Sequence, residues 1–429
     1  MTRFIALIAG AVAVLVLAAA TRAADDGRPL SGTFVDWADH PAIRYHGDAT
    51  NDPVADLSHR LQNNNVRLTR EGPSGYLRSV LDALHVSVDS QMMVFERDSV
   101  QASRISLGNP RALFFNDEVA VGWVRGGFIE LAAQDPRQGV VFYSLTQSFT
   151  GAPSITRRNE CLTCHHAYAS SGVPGMLVRS ARQFAVTHRV PFEKRWGGWY
   201  VTGRHGALTH LGNTDLQHLY DDPRPSGTLN WPSLDGKFDT TGYLAPQSDI
   251  VALMVFEHQM HMMNLLTRIG WEARVAEYRE RTPVSARAAG DHPADKTVPL
   301  DEAAQEVVDY MLLVDEAPLA EPIRGSTTFA ARFSAQGPRD SRGRSLRQLD
   351  LEHRLLRYRC SYMIYSRQFE QLPASAKSAI YRRLWDVLSG RQRGEAYARL
   401  ARADRAAVVD ILHDTKPDLP AYFSSASVH

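Results

Sequence analysis

Cysteine is scarce in this 429-residue chain: there are three, Cys161, Cys164 and Cys360. So few exclude the disulfide framework of a small extracellular module. After the first 20 or so residues no apolar run is long enough to cross a bilayer, so the body is expected to carry no membrane span. An excess of charge of one sign is also missing. The formal charge is +1, and it includes Arg3 and Arg22 of the leader, so the remaining chain stands at about −1. A near-neutral body argues against an electrostatic nucleic-acid surface. No internal repeat and no heptad array is present, which excludes solenoids and coiled coils.

What is present begins with a leader. Arg3 precedes an uncharged apolar run over residues 4–20, and Thr21-Arg22-Ala23 ends in small residues. This reads as a signal peptide over residues 1–23 cleaved after Ala23, which places the protein in the periplasm or outside the cell. A retained leader would act instead as an anchor. No cysteine follows it closely, which argues against a lipoprotein.

Behind an export leader, Cys161-Leu162-Thr163-Cys164-His165 reads as covalent attachment of one haem c. One helical turn presents two thiols to two neighbouring vinyl groups, to which they add as thioethers, and sets His165 beneath the ring as proximal iron ligand. Two other readings use the same residues. A zinc site needs four ligands, and Cys161, Cys164 and His165 offer three. A thioredoxin-like pair needs a C-x-x-C at the start of a helix in a βαβ unit, whereas residues 153–159 read as a loop. A metal-bound histidine donates its other ring N–H to a partner, and Gly172-Val173-Pro174-Gly175 could supply a backbone carbonyl.

The distal ligand has several candidates. His258 lies on a helical stripe with Val251, Met254, Val255, Met262, Leu265 and Ile269. Bis-histidine ligation through His258 would give a low potential, and a methionine, Met262 or Met176, would raise it. His261, His205 and His210 complete the set. Arg157, Arg158, Arg179, Arg182 and Arg195 lie near the motif and could neutralise haem propionates. Cys360, in an aromatic helix-like stretch, reads as a buried inert thiol.

The pattern along the chain predicts an α+β protein with an antiparallel β-rich N-terminal half (24–150), a loop-rich haem c segment (151–246) and a helical C-terminal half (247–429). Short helices are expected at 56–61 and 76–84. Strands are expected at 93–95, 111–115, 119–124, 128–132 and 140–145, separated by Asn-Asp and Gly-Gly turns. Two further strands are expected on either side of residues 204–206. Ser248 is a plausible N-cap for a long helix over 249–279 closed by Pro283. Further helices are expected at 301–315, 346–371, 375–389 and 404–413.

Several stretches together resemble a family of exported bacterial mono-haem proteins known as c-type cytochrome-domain or hypothetical proteins. They are Phe115-Asn116-Asp117-Glu118-Val119, the C-x-x-C-H with Gly172-Val173-Pro174-Gly175, Arg195-Trp196-Gly197-Gly198-Trp199-Tyr200, His210-Leu211-Gly212-Asn213, Glu257-His258-Gln259 and Cys360-Ser361-Tyr362. The resemblance covers most of residues 50–390. It implies a haem site at Cys161, Cys164 and His165 and no defined reaction. Histidine often stands in that family where this chain has Met176, which implies a position close to the iron. The expected function is electron transfer with a redox partner protein or a small-molecule donor or acceptor. The chain is far longer than a simple carrier needs, so a haem-dependent, peroxidase-like oxidoreductase and a haem-based sensor stand as alternatives.

Overall fold

The computed structural model describes residues 36–47, 49–147, 152–181, 185–222, 230–288, 290–291 and 296–423. The leader expected over residues 1–23 lies outside them. Six strands, β1 (Met92–Val94), β2 (Arg111–Phe115), β3 (Val119–Trp123), β4 (Ile129–Asp135), β5 (Gly139–Leu145) and β6 (Ile155–Arg157), form an antiparallel meander in chain order, and β7 (Trp199–Tyr200) joins at the β1 edge. Side-chain turns fix the register. Asn116 Oδ1 accepts from the Glu118 and Val119 amides (3.0 and 2.9 Å) between β2 and β3. Asp135 Oδ1 accepts from Arg137 and Gln138 (both 2.8 Å) between β4 and β5, where Gly139 takes φ +92°. Such caps mimic a backbone turn at little steric cost.

Alternation along the strands divides the side chains between two cores. Phe114, Val121, Trp123, Leu131 and Val141 pack with the helices Pro53–Gln62 and Leu77–Ala83. Val94, Phe115, Ala120, Ala132 and Phe142 face the helix Ile250–Arg281. That helix has 32 residues and is therefore about 48 Å long. It is buried nearly all round, packed also by Leu300–Met311, Phe329–Ala335 and Ala374–Leu388. Helices dominate the C-terminal half, so the architecture is mixed, with a seven-stranded antiparallel sheet before them. Among the described residues no helix is long and apolar enough to cross a membrane.

The structure departs from the sequence expectations in three places. Asp249, not Ser248, caps the long helix: its Oδ1 accepts from the Val251 and Ala252 amides (2.8 and 3.0 Å). Ser248 instead donates to the Tyr200 carbonyl (2.6 Å) and accepts from Met93 N (2.8 Å), tying the helix start to the sheet. Residues 207–213 form no strand, because their amides bond singly to other segments, Leu211 to Arg195 O in a loop and Asn213 to Trp199 O of β7. Residues 346–371 are mostly turns. Asp350 captures the Glu352 and His353 amides (2.9 and 2.8 Å), Leu351 takes φ +60°, and only Tyr362–Tyr365 and Arg367–Glu370 are helical. Side-chain capture of this kind competes with helix formation.

The other carboxylate oxygen of Asp249 accepts from Thr327 N and Oγ1 (2.8 and 2.9 Å). Asp249→Ala therefore removes a cap and orphans buried donors, and should cost about 2–3 kcal/mol. Urea unfolding of the purified variant measures this, and Asp249→Asn should lose less.

Candidate functional site

The C-x-x-C-H residues take their positions from the edge of the sheet. The chain leaves β6, whose following residue Arg158 donates its amide to Phe142 O (2.8 Å), and turns at once into the one-turn helix Leu162–His165. Cys161, Cys164 and His165 thereby open into one cavity of about 560 Å³. The floor is the sheet face described above, and at its centre stand small residues, Ala120, Gly122 and Ala132, flanked by Val94, Leu113 and Phe142. Met176, Leu177, Trp199 and Phe256 of the long helix line other parts of the wall.

His165 is held from three directions. Its Nδ1 lies 3.0 Å from the Gly175 carbonyl, its ring lies 4.7 Å from that of Phe142, and its own carbonyl accepts from Gly175 N (2.9 Å). The 170–176 segment is itself fixed. Pro174 O accepts from Val140 N of β5 (2.9 Å), and Asn264 Nδ2 of the long helix donates to Met176 O (2.9 Å). Gly175 must be glycine here, because a Cβ would collide with the Asn264 amide. Burial lowers the His165 pKa against the opposing pull of the Gly175 contact, which keeps the ring neutral. A neutral imidazole donating through Nδ1 has its lone pair on Nε2. Burial, with Glu160 and Glu130 nearby, pushes the Cys161 thiol up to about 11.

Charge enters the cavity in balanced form. Four arginines (Arg97, Arg111, Arg158, Arg179) meet four carboxylates (Glu96, Asp98, Glu130, Glu160). Arg158 pairs with Glu160 and Arg179 with Asp98 at the partly exposed rim. Deeper, on the floor, Arg111 Nη1 lies 3.0 Å from Glu130 Oε2, and Ser99 Oγ donates to Glu130 Oε1 (2.8 Å). Burial raises the Glu130 pKa, but Arg111 and the hydrogen bonds prevail and hold it below the usual carboxylate range.

Met176 reaches the cavity; His258 and Met262 do not. Met262 is fully buried in the helix core. His258 is fully buried with both ring nitrogens engaged, Nδ1 2.8 Å from His188 Nδ1 and Nε2 2.8 Å from Ser361 Oγ, and Tyr310 stacked 5.3 Å away. The helix residue that faces the cavity is Phe256, two positions earlier. His205 and His210 pack against one another beside Phe192 and Trp196, also away from it. Of the nearby arginines, Arg158 and Arg179 line the cavity. Arg157 lies over Tyr45, Arg195 is buried against Glu257, and Arg182 falls outside the described residues. Arg111, Glu130 and Asn264 were not anticipated; two charged residues at inward positions of otherwise apolar strands were the available signal. Cys360 is buried, its thiol pushed up to about 12 by desolvation.

Among the described residues no group of three or more His, Cys, Asp or Glu side chains is placed to hold a bare metal ion. A cofactor that brings its own equatorial ligands would ask of this site only two thiols and one imidazole. No family model, curated protein or solved structure matches the chain.

Burial pushes His258 and His210 down to about 3. Each contributes stability that is complete above its unfolded value near 6.5 and is lost as pH falls toward 3. Glu272 and Glu316, pushed up to about 7 by burial, act in the opposite sense, stabilising below 4.5 and less as pH rises through 7. The two sets offset one another between 4.5 and 6.5, and only the histidines continue below. Thermal unfolding across a pH series should show a shallow profile down to about 4.5 and a clear fall beneath it. A Tm that rose on acidification below 4.5 would contradict this.

Proposed function

We propose that this chain is an exported c-type haem protein, carrying one haem joined to Cys161 and Cys164 with His165 as axial ligand, and that it transfers electrons to or from a redox partner or small molecule. The observation that carries the reading is the convergence of both thiols and the imidazole of one helical turn on a single, largely apolar cavity. Its volume, about 560 Å³, falls in the range of cofactor sites.

The residues fit the group in three further respects. The floor is cleared by Ala120, Gly122 and Ala132, where larger strand residues would fill the space a flat cofactor needs. The His165 ring is neutral and oriented by the Gly175 carbonyl, leaving Nε2 as donor to a metal. Arg158 and Arg179 stand at the rim, where exchange of their exposed carboxylate partners for propionates costs little. Bound there, haem would supply a one-electron redox centre. The protein's part is to hold the imidazole in one tautomer, exclude water with Leu113, Phe142, Met176 and Phe256, and keep one edge near the surface through the exposed Cys164. Export through the leader would deliver the chain to the compartment in which such attachment takes place.

The test is production with its leader in cells that mature c-type cytochromes. Intact mass should exceed that of the polypeptide by one haem, and the Cys161→Ala/Cys164→Ala variant should lose the increment. Ala132→Phe, which fills the floor, should retain a cooperative unfolding transition but bind haem poorly. Colourless protein at bare polypeptide mass, alongside a control cytochrome that is loaded in the same cells, rejects the proposal.

A further inference from the structure

The cavity holds donors for one side of an iron. Among the described residues lining it, His165 is the sole imidazole and Met176 the sole thioether. Met176 is tied behind His165. The carbonyl preceding it accepts from His165 Nδ1, and its own carbonyl is anchored by Asn264. A sixth ligand must approach from beyond Nε2, and a methionine side chain is too short to round the edge of a porphyrin from there. His258 lies outside the cavity with both nitrogens bonded.

The floor carries an ion pair as well. Arg111 spends Nη1 on Glu130, while its Nε is buried with no hydrogen-bond partner, so the guanidinium keeps unused donor capacity. Glu130 makes this a poor seat for a propionate, since a second carboxylate would meet the first at close range. The exposed rim pairs of Arg158 and Arg179 suit propionates better. Paired with Glu130, the partly buried guanidinium is part of a near-neutral unit and is suited instead to a small hydrogen-bond acceptor. Arg111 and Glu130 line the same cavity as His165.

We infer, resting on the haem reading above, that the second axial position is open to an external ligand, and that Arg111 selects there a small ligand able to accept a hydrogen bond.

The test uses the haem-loaded protein, with attachment first established by mass. The resting ferric absorption spectrum should be high-spin. Azide should bind the ferric form and carbon monoxide the ferrous form, and Met176→Ala should leave the resting spectrum unchanged. Arg111→Gln should weaken azide by about tenfold or more, the loss of one charge-assisted hydrogen bond, and change carbon monoxide affinity by no more than about threefold. The double variant Arg111→Met/Glu130→Leu leaves no charge buried alone and gives the same comparison should the single variant fail to fold. A low-spin resting spectrum that resists both ligands overturns the inference, with Met176 identified as ligand if its removal turns the spectrum high-spin. Equal loss of azide and carbon monoxide binding on changing Arg111 removes its selective role. Protein without attached haem rejects the earlier proposal along with this one, and the mass alone reports that outcome.

Discussion

The contact between the His165 ring and the Gly175 carbonyl is the constraint on which the site depends. A single imidazole could turn freely in a cavity of this size. The carbonyl fixes one nitrogen, and the elements that fix the carbonyl come from separate parts of the fold: β5 through Val140 and Pro174, the long helix through Asn264 and Met176. Sheet, helix and loop are thus all required to aim one ring. This is how a short motif at the edge of a sheet acquires a defined orientation.

The same long helix tolerates many polar side chains because most of them are engaged by partners from other elements. Glu257 meets Arg195 and the Trp196 indole, Gln259 bonds to Asn116 O and Tyr362, and Thr267 receives Gln368. His258 joins His188 to Ser361. These contacts tie the 188–200 loop and the irregular 346–366 region to the helix, where hydrophobic packing alone would leave their register undefined. Buried pairs of this kind add little net stability but are costly to break singly.

Much of the architecture was legible from sequence. The five principal strands were, because Asn116, Gly126 and Asp135 punctuate them and alternation marks their faces. The motif itself was legible because its chemistry lies in five adjacent residues. The stripe carrying His258 correctly signalled burial, but a stripe reports which residues are inside, not which hollow a donor faces, and here His188 and Ser361 claim the ring. Residues 346–371 read as helical from their apolar spacing, and the decisive Asp350 side-chain turn is a local competition that periodicity does not register. The Gly175–Asn264 contact joins positions 89 apart in sequence, and no local pattern announces it.

The cleared floor of Ala120, Gly122 and Ala132 has a consequence for the polypeptide while the cavity is empty. A hollow of about 560 Å³ leaves its lining without packing partners. Anything that fills the hollow is linked to folding and raises the apparent stability of the folded form. On the haem reading proposed above, the empty chain would therefore be the fragile species, the one seen by proteases and chaperones, and loading would act as its checkpoint for survival. Turnover of empty protein would then set how much filled protein accumulates.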